Sequence, residues 1–156
     1  MPTLFCKNDP VSTQAREANP RVCSVARALD VIGEKWSLLV VRELILGVHR
    51  FNEIAANTGA PRDILTSRLR RLEELGVVER QAYCDRPLRY EYFLTKAGRD
   101  LRPVVMALKH WGDTHVMGAP MSPVLEHKCG EVFVPRTHCA ACGEPADGRT
   151  LKRLDV

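Results

Sequence analysis

APRDILTSRLRRLEELGVVERQAYCDRPLRYEYFLTKAG, residues 60–98, is the stretch that decides the fold of this 156-residue chain. Pro61 suits a first helical position, where its missing N–H costs nothing, and Gly76 suits the left-handed residue just past a helix end. A helix is therefore predicted over 61–75. Leu65, Leu69, Leu72 and Leu75, with Ile64, recur at spacings of three and four, which puts them on one side of a 3.6-residue spiral facing a core. Arg68 falls inside that apolar arc and is expected to be paired internally. The other side carries Arg62, Asp63, Thr66, Ser67, Arg70 and Arg71, short hydroxyls interleaved with guanidinium groups. Such groups meet base edges and phosphates in a major groove. Segments 77–83 and 90–94, rich in Val and Tyr, flank CDRPLR and read as a hairpin. Pro87 belongs in its turn together with Cys84, and Arg86 and Arg89 project from its tip. A basic helix face or a basic hairpin alone is ordinary solvated surface. Helix, ribbon and helix in this order form a winged helix, and the two basic elements side by side point to DNA.

Working outward, Thr95 is the N-cap of a long helix predicted over 96–116, bent at Pro103. Along it Leu101, Val104, Val105, Leu108, Trp111 and His115 form a stripe longer than a small three-helix core can cover. Part of that stripe is expected to pair with a second copy, giving a homodimer whose two-fold symmetry suits inverted half-sites. Upstream, FNEIAAN (51–57) is a short helix closed by Thr58 and Gly59, which with the helix at 61–75 makes a helix-turn-helix. A largely buried helix over 35–46 holds Trp36, Leu39, Val40, Glu43 and Leu44 and ends at Gly47. Before it, Asn19 caps and Pro20 opens a first helix carrying Val22, Val25, Ala26, Leu29 and Ile32 up to Gly33. The first eighteen residues are polar and without period, and are expected to be frayed. The organisation is thus a segment 1–18, a winged helix-turn-helix and dimerisation domain over 19–118, and a Cys/His tail over 119–156. The fold class is mainly α with a small β-hairpin (α+β), carrying a small ribbon-like C-terminal appendage.

The net charge of +4 argues only weakly for a polyanionic partner. The local count says more, with ten Lys or Arg against seven Asp or Glu between Arg62 and Arg102. No apolar run approaches the roughly twenty residues that cross a bilayer, so no membrane partner is expected. MPTLFCKNDPVSTQ lacks the basic-then-apolar layout of a secretory signal, so a cytoplasmic protein is expected. In that compartment six cysteines are free thiols, metal ligands or redox sensors rather than a disulfide framework. There is no glycine-rich phosphate loop, no nucleophile elbow and no paired carboxylates at helical spacing, so an enzyme is not expected. Two alternatives stay open: a thiol-redox protein built on Cys139-x-x-Cys142, and a winged-helix adaptor that binds protein.

The tail reads HKCGEVFVPRTHCAACG over 127–143. His127-x-Cys129-Gly130 and Cys139-x-x-Cys142-Gly143 are two turns joined by about nine residues, and structural zinc needs four N or S ligands in a tetrahedron. His127, Cys129, Cys139 and Cys142 are the expected ligands, with His138 able to replace His127. A short segment poor in large apolar residues needs such an ion to hold a shape. A redox pair at Cys139 and Cys142, or an unliganded tail, are the competing readings.

CSVARALDVIGEKWSLLVVRELILGVHRFNEI (23–54), LTSRLRRLEELGVVER (65–80), PLRYEYFLTKAG (87–98) and the later Trp111 closely resemble the HxlR-type transcriptional regulators, winged-helix relatives of the MarR group. The resemblance spans about residues 20–116. It implies a homodimeric repressor or activator, with repression the expected role, bound to a short inverted-repeat operator in double-stranded DNA. Arg62, Thr66, Ser67 and Arg70 are then the candidate base readers, and Arg71, Arg86 and Arg89 the phosphate contacts. Family members carry a cysteine just before the first helix, and some use it to sense electrophiles or oxidants. Cys23 stands at that position, in an expected first turn near Arg21 and Arg27, where a positive helix end favours thiolate. Ser24 follows it where the family has proline. Whether the effector is an oxidant, a small molecule or neither stays open at this point.

Overall fold

Leucine spacing, a proline start and a glycine stop place the central helix, and a computed structural model describing residues 23–152 carries it as α4, Arg62–Glu74. The remaining elements are α1 (Ser24–Ile32), α2 (Lys35–Ile45), α3 (Phe51–Thr58), β1 (Val78–Asp85), β2 (Leu88–Leu94), α5 (Lys96–Asp100) and α6 (Arg102–Gly112). A π-helical turn, Asp113–Met117, follows α6. The segment 1–18, the Asn19–Pro20 helix start and Val22 lie outside the described residues.

Helix ends follow the expected punctuation. Gly47, Gly59 and Gly76 take φ of +82°, +69° and +69°, which a Cβ disfavours, and each stops a helix without clashing with its surroundings. The core gathers Val40, Val41 and Leu44 of α2, Ile54 of α3, Leu65, Leu69 and Leu72 of α4, and Val78, Leu94, Val105 and Met106. Glu43 is buried among them with both oxygens occupied: Arg42 Nε and Nη2 donate to Oε1 at 2.9 and 2.6 Å, and Asn57 Nδ2 donates to Oε2 at 2.8 Å. A buried carboxylate without those donors would cost several kcal/mol, so α2 and α3 are tied together by a polar bond inside an apolar cluster.

Four expectations are corrected. Among the described residues the first helix begins at Ser24, and Cys23, with extended backbone (φ −123°, ψ 118°), sits at its N-cap instead of in its first turn. Pro61 is likewise the N-cap of α4 rather than its first residue, with ψ 141°. The hairpin strands run further than predicted: Cys84 pairs with Arg89 and Asp85 with Leu88, leaving only Arg86 and Pro87 as the turn. Cys84 is consequently a half-buried strand residue, not a turn residue, and Tyr83 is the extra residue of a bulge. Finally, the long helix over 96–116 is interrupted at Leu101 and loses α geometry at Asp113. Pro103 has no N–H for the carbonyl four residues earlier and opens α6 afresh in its first turn. The apolar stripe divides accordingly. Val105 and Met106 are buried and Leu101 half-buried, while Val104, Leu108 and Trp111 face outward, as do Val25 and Leu29 of α1.

Thr95 caps α5 as expected, its Oγ1 accepting from the Gly98 amide at 3.2 Å while donating to the Gly76 carbonyl at 2.6 Å. This brings Gly98 against the start of β1: a Cβ there would lie 2.2 Å from the Val77 carbonyl oxygen and 2.9 Å from Leu94 Cδ2. The Val77 oxygen also accepts from the Thr95 amide at 3.1 Å, so it is not free to retreat. Gly98→Ala is therefore expected to destabilise the domain by about 1–3 kcal/mol, read as a lower urea midpoint at unchanged m-value.

Candidate nucleic-acid interface

With Leu65, Leu69 and Leu72 buried, the turn of the helix leaves Arg62, Thr66, Ser67, Arg70 and Arg71 of α4 exposed. Arg70 has no ion-pair partner among the described residues, and Arg71 has a loose one, Glu74 at 3.5 Å. Thr66 Oγ1 donates to the Arg62 carbonyl at 2.7 Å, and the residue is exposed. Arg62 is turned toward α3. Its Nη1 donates to Asn52 Oδ1 at 3.1 Å, and its guanidinium lies 4.9 Å from the Phe51 ring centre. It therefore stands at the entrance of the helix rather than over its centre. Arg68 is paired internally as its position in the apolar arc predicted, its guanidinium reaching Glu34 at the N-cap of α2. Its Nε is buried without a hydrogen-bond partner, the cost of a charged side chain on the apolar edge.

The hairpin is held to the helices by a short extended segment, joined to it through a single β-bridge, that the sequence alone does not single out. His49 and Arg50, between α2 and α3, run antiparallel to β2: the Tyr92 amide donates to the His49 carbonyl at 2.9 Å, and Arg50 bridges to Glu91. Side chains repeat the connection. His49 Nδ1 lies 2.9 Å from the Tyr92 carbonyl, the His49 ring stacks on Phe93 at 4.5 Å, and Arg50 Nε donates to Glu91 Oε1 at 2.9 Å. That hydrogen bond is the main reason the Arg50 guanidinium holds its proton more tightly than usual. On its other side Arg50 lies 5.0 Å from the Tyr83 ring centre. Between the hairpin and the starts of α3 and α4 opens a groove of about 530 Å³ walled by Arg50, Asn52, Arg62, Tyr83 and Arg89. Arg50 and Asn52 were thus missed as groove residues. The sequence signal for them is their place within the stretch 23–54 that carries the resemblance.

Arg86 and Arg89 are exposed, Arg86 in the turn and Arg89 at the outer end of β2, with no ion pair among the described residues. The outward face of α4, the groove and the hairpin end form a surface in which guanidinium groups alternate with hydroxyl, amide and phenol groups. Such a surface can hydrogen-bond phosphates and base edges at once.

The remaining candidates lie elsewhere. Cys23 is exposed at the N-cap of α1, beside the outward Val25 and Leu29. In the tail, His127 Nδ1 is 3.1 Å from Cys129 Sγ, and the amides of Cys142 and Ala141 hydrogen-bond to Cys139 Sγ, which lowers its thiol from the ordinary value. The four expected zinc ligands are thus present as two pairs. Among the described residues no group of three His, Cys, Asp or Glu donors gathers at one point. His138 is engaged through its backbone, in a bridge to Pro145. No described helix is long and apolar enough to cross a membrane.

Comparison with known proteins agrees with this geometry. The HTH-type transcriptional regulator MT3179 of Mycobacterium tuberculosis (strain CDC 1551 / Oshkosh) is 46% identical over 131 residues, covering 82% of each chain. YybR of Bacillus subtilis, also an HTH-type transcriptional regulator, is 40% identical over 98 residues, covering 62% of this chain and 78% of its own. Among solved structures, PA1607 superposes with a TM-score of 0.70 at 31% identity, over 86% of this chain and 96% of that one. The redox regulator HypR in its oxidized form superposes at 0.55 with 39% identity, over 60% of this chain and 97% of that one. Residues 31–120 match the HxlR-like helix-turn-helix family. With the winged helix, its exposed basic face and these relatives in hand, the chain belongs to the HxlR-like family and is a transcriptional regulator with a helix-turn-helix DNA-binding domain.

Proposed function

We propose that two copies of the chain bind an inverted-repeat operator as a homodimer, each laying α4 in a major groove and its hairpin end against the flanking backbone, and that occupancy represses the adjoining promoter. The observation that carries this reading is the division of α4 into a fully buried leucine edge and an exposed edge bearing Thr66, Ser67 and Arg70. Ser67, Thr66 and Arg70 read bases, because they project from the middle of the exposed edge. Arg62, held at the helix start by Asn52, joins Arg71, Arg86 and Arg89 in contacting phosphate. Pairing of the copies runs through Val104, Leu108 and Trp111 of α6 and Val25 and Leu29 of α1, large apolar side chains that are each at least half exposed on a lone chain. Oxidation of Cys23, exposed beside that surface, regulates the dimer. Support for this comes from its placement and from the likeness to HypR, a protein named a redox regulator.

Three outcomes are expected. On an operator selected from random DNA, Arg70→Ala weakens binding by about 1–3 kcal/mol and relaxes the preference at one base pair, whereas Arg86→Ala and Arg89→Ala weaken all sequences alike and lower the salt slope by about one each. Unchanged affinity and slope in all three, by fluorescence anisotropy, would remove the interface. Leu108→Asp with Trp111→Asp yields a monomer in analytical ultracentrifugation and loses the operator, while a dimer of full affinity would place the pairing surface elsewhere. Peroxide treatment reduces operator binding in the unaltered protein but not in Cys23→Ser; equal loss in both would assign the response to another thiol.

A further inference from the structure

The two turns of the tail share one backbone frame. In the first, the His127 amide donates to the Glu131 carbonyl at 2.9 Å, the Gly130 amide to the His127 carbonyl at 2.9 Å, and the Phe133 amide to the Leu125 carbonyl at 2.7 Å. In the second, the Cys139 amide donates to the Glu144 carbonyl at 2.8 Å, the Gly143 amide to the Cys139 carbonyl at 2.8 Å, and the Ala146 amide to the Thr137 carbonyl at 2.9 Å. Antiparallel bridges at Glu126–Val132 and His138–Pro145 bracket them. In each, the residue just after the bridge is a metal-type donor, a second donor follows within the turn, and the next residue is a glycine at positive φ, +89° at Gly130 and +76° at Gly143. The second turn is one residue longer, which is the difference between His-x-Cys and Cys-x-x-Cys.

Such a frame holds two donors on the same side of a tight turn, and in the first of them His127 Nδ1 already lies 3.1 Å from Cys129 Sγ. Nothing apolar explains why two such turns should be built here. Among the described residues the last buried core side chain is Met106, and beyond it Leu125 only leans on the core. A segment with no core of its own acquires shape from cross-links or a metal.

We infer that the two turns are paired knuckles of one tetrahedral zinc site, with His127 and Cys129 from the first and Cys139 and Cys142 from the second. Three thiolates and an imidazole are the donor set that selects zinc over oxygen-seeking cations, and four protein ligands make the site structural. Among the described residues no three of these donors meet at one point, so the site forms only when the ion draws the two turns together. Zinc so held fixes the tail against the end of α6, where Lys109 Nζ already donates to the Met121 carbonyl at 2.9 Å.

The test is metal analysis of the full-length protein, purified reduced and without chelator, with cobalt(II) titration of the stripped protein as a second readout. The expected result is about one zinc per chain and a cobalt complex with the visible bands and near-ultraviolet thiolate charge transfer of tetrahedral sulfur ligation. Cys129→Ser and Cys139→Ser should each lose the zinc and those bands, with helical circular dichroism retained because, among the described residues, no fully buried core side chain comes from the tail. Cys23→Ser, Cys84→Ser and His138→Ala should keep both, and His127→Ala should weaken zinc retention and shift the bands. Three results would overturn the site: protein free of zinc whose cobalt spectrum shows no thiolate ligation, metal retained in both Cys129→Ser and Cys139→Ser, or a Cys139–Cys142 disulfide found by mass spectrometry in metal-free protein.

Discussion

The burial of Leu65, Leu69 and Leu72 against α2 is the contact on which the rest of the molecule depends. These side chains are 0%, 2% and 0% exposed, and each contributes about 1.5–3 kcal/mol relative to exposure. Their energetic weight matters less than their phase. Residues at i, i+4 and i+7 pinned to Val40, Val41 and Leu44 set the rotation of α4 about its axis, so that Thr66, Ser67 and Arg70 have nowhere to point but outward. Arg68 shows how firmly that phase is held. Its Cα lies on the apolar edge, and instead of the helix rotating to free it, the side chain reaches out to Glu34 and leaves its Nε unsatisfied.

The hairpin needs a separate anchor, because a two-stranded ribbon alone is marginal in water. Part of the anchor is apolar, through Val78 and Leu94 in the core, and part is the His49–Arg50 segment, bridged to β2 at Glu91 and accepting from the Tyr92 amide. The same two residues lead directly into α3, so hairpin and helix-turn-helix share one short piece of backbone. Arg50 serves both sides at once, bonded to Glu91 of β2 and stacked over Tyr83 of β1. The groove between hairpin and helices is therefore shaped by fixed parts, which keeps the arginines at its rim at a set separation.

Local chemistry explains which parts were legible in the sequence. The leucine spacing of α4, the Thr58-Gly59 and Gly76 stops, the Thr95 cap and the internal pairing of Arg68 are each determined within a few residues, and each stands where it was read. The break at Leu101 was not legible, since a proline in a helical pattern reads equally as a bend or as the first turn of a new helix. The extended backbone at Cys23 and the orientation of Arg62 depend on neighbours distant in sequence or on the balance of two weak signals. Arg62 in particular was placed correctly on the exposed edge, yet its partner Asn52 lies ten residues away on another helix, and no periodicity encodes that meeting. For the tail, spacing identified the donors, while the matched hydrogen-bond frames became visible only in three dimensions.

One helix connects these regions. α6 presents Val105 and Met106 to the core, Val104, Leu108 and Trp111 outward, and Lys109 to the tail, where it is shared between Asp113 and the Met121 carbonyl. Its inner face packs on α2, and α2 carries α4. A close-packed interior transmits displacement rather than absorbing it, so a shift of α6 caused by its outward or tail-facing side is delivered to the helix that sets the phase of α4. Met106 and Val105 of α6, Val41 and Val40 of α2 and Leu69 of α4 all belong to that one buried cluster. Coupling through such a chain requires an element with two arrangements. The places where the helical hydrogen-bond pattern changes along this route are the two junctions of α6, Leu101 toward α5 and the π-helical turn that begins at Asp113, both with right-handed helical backbone.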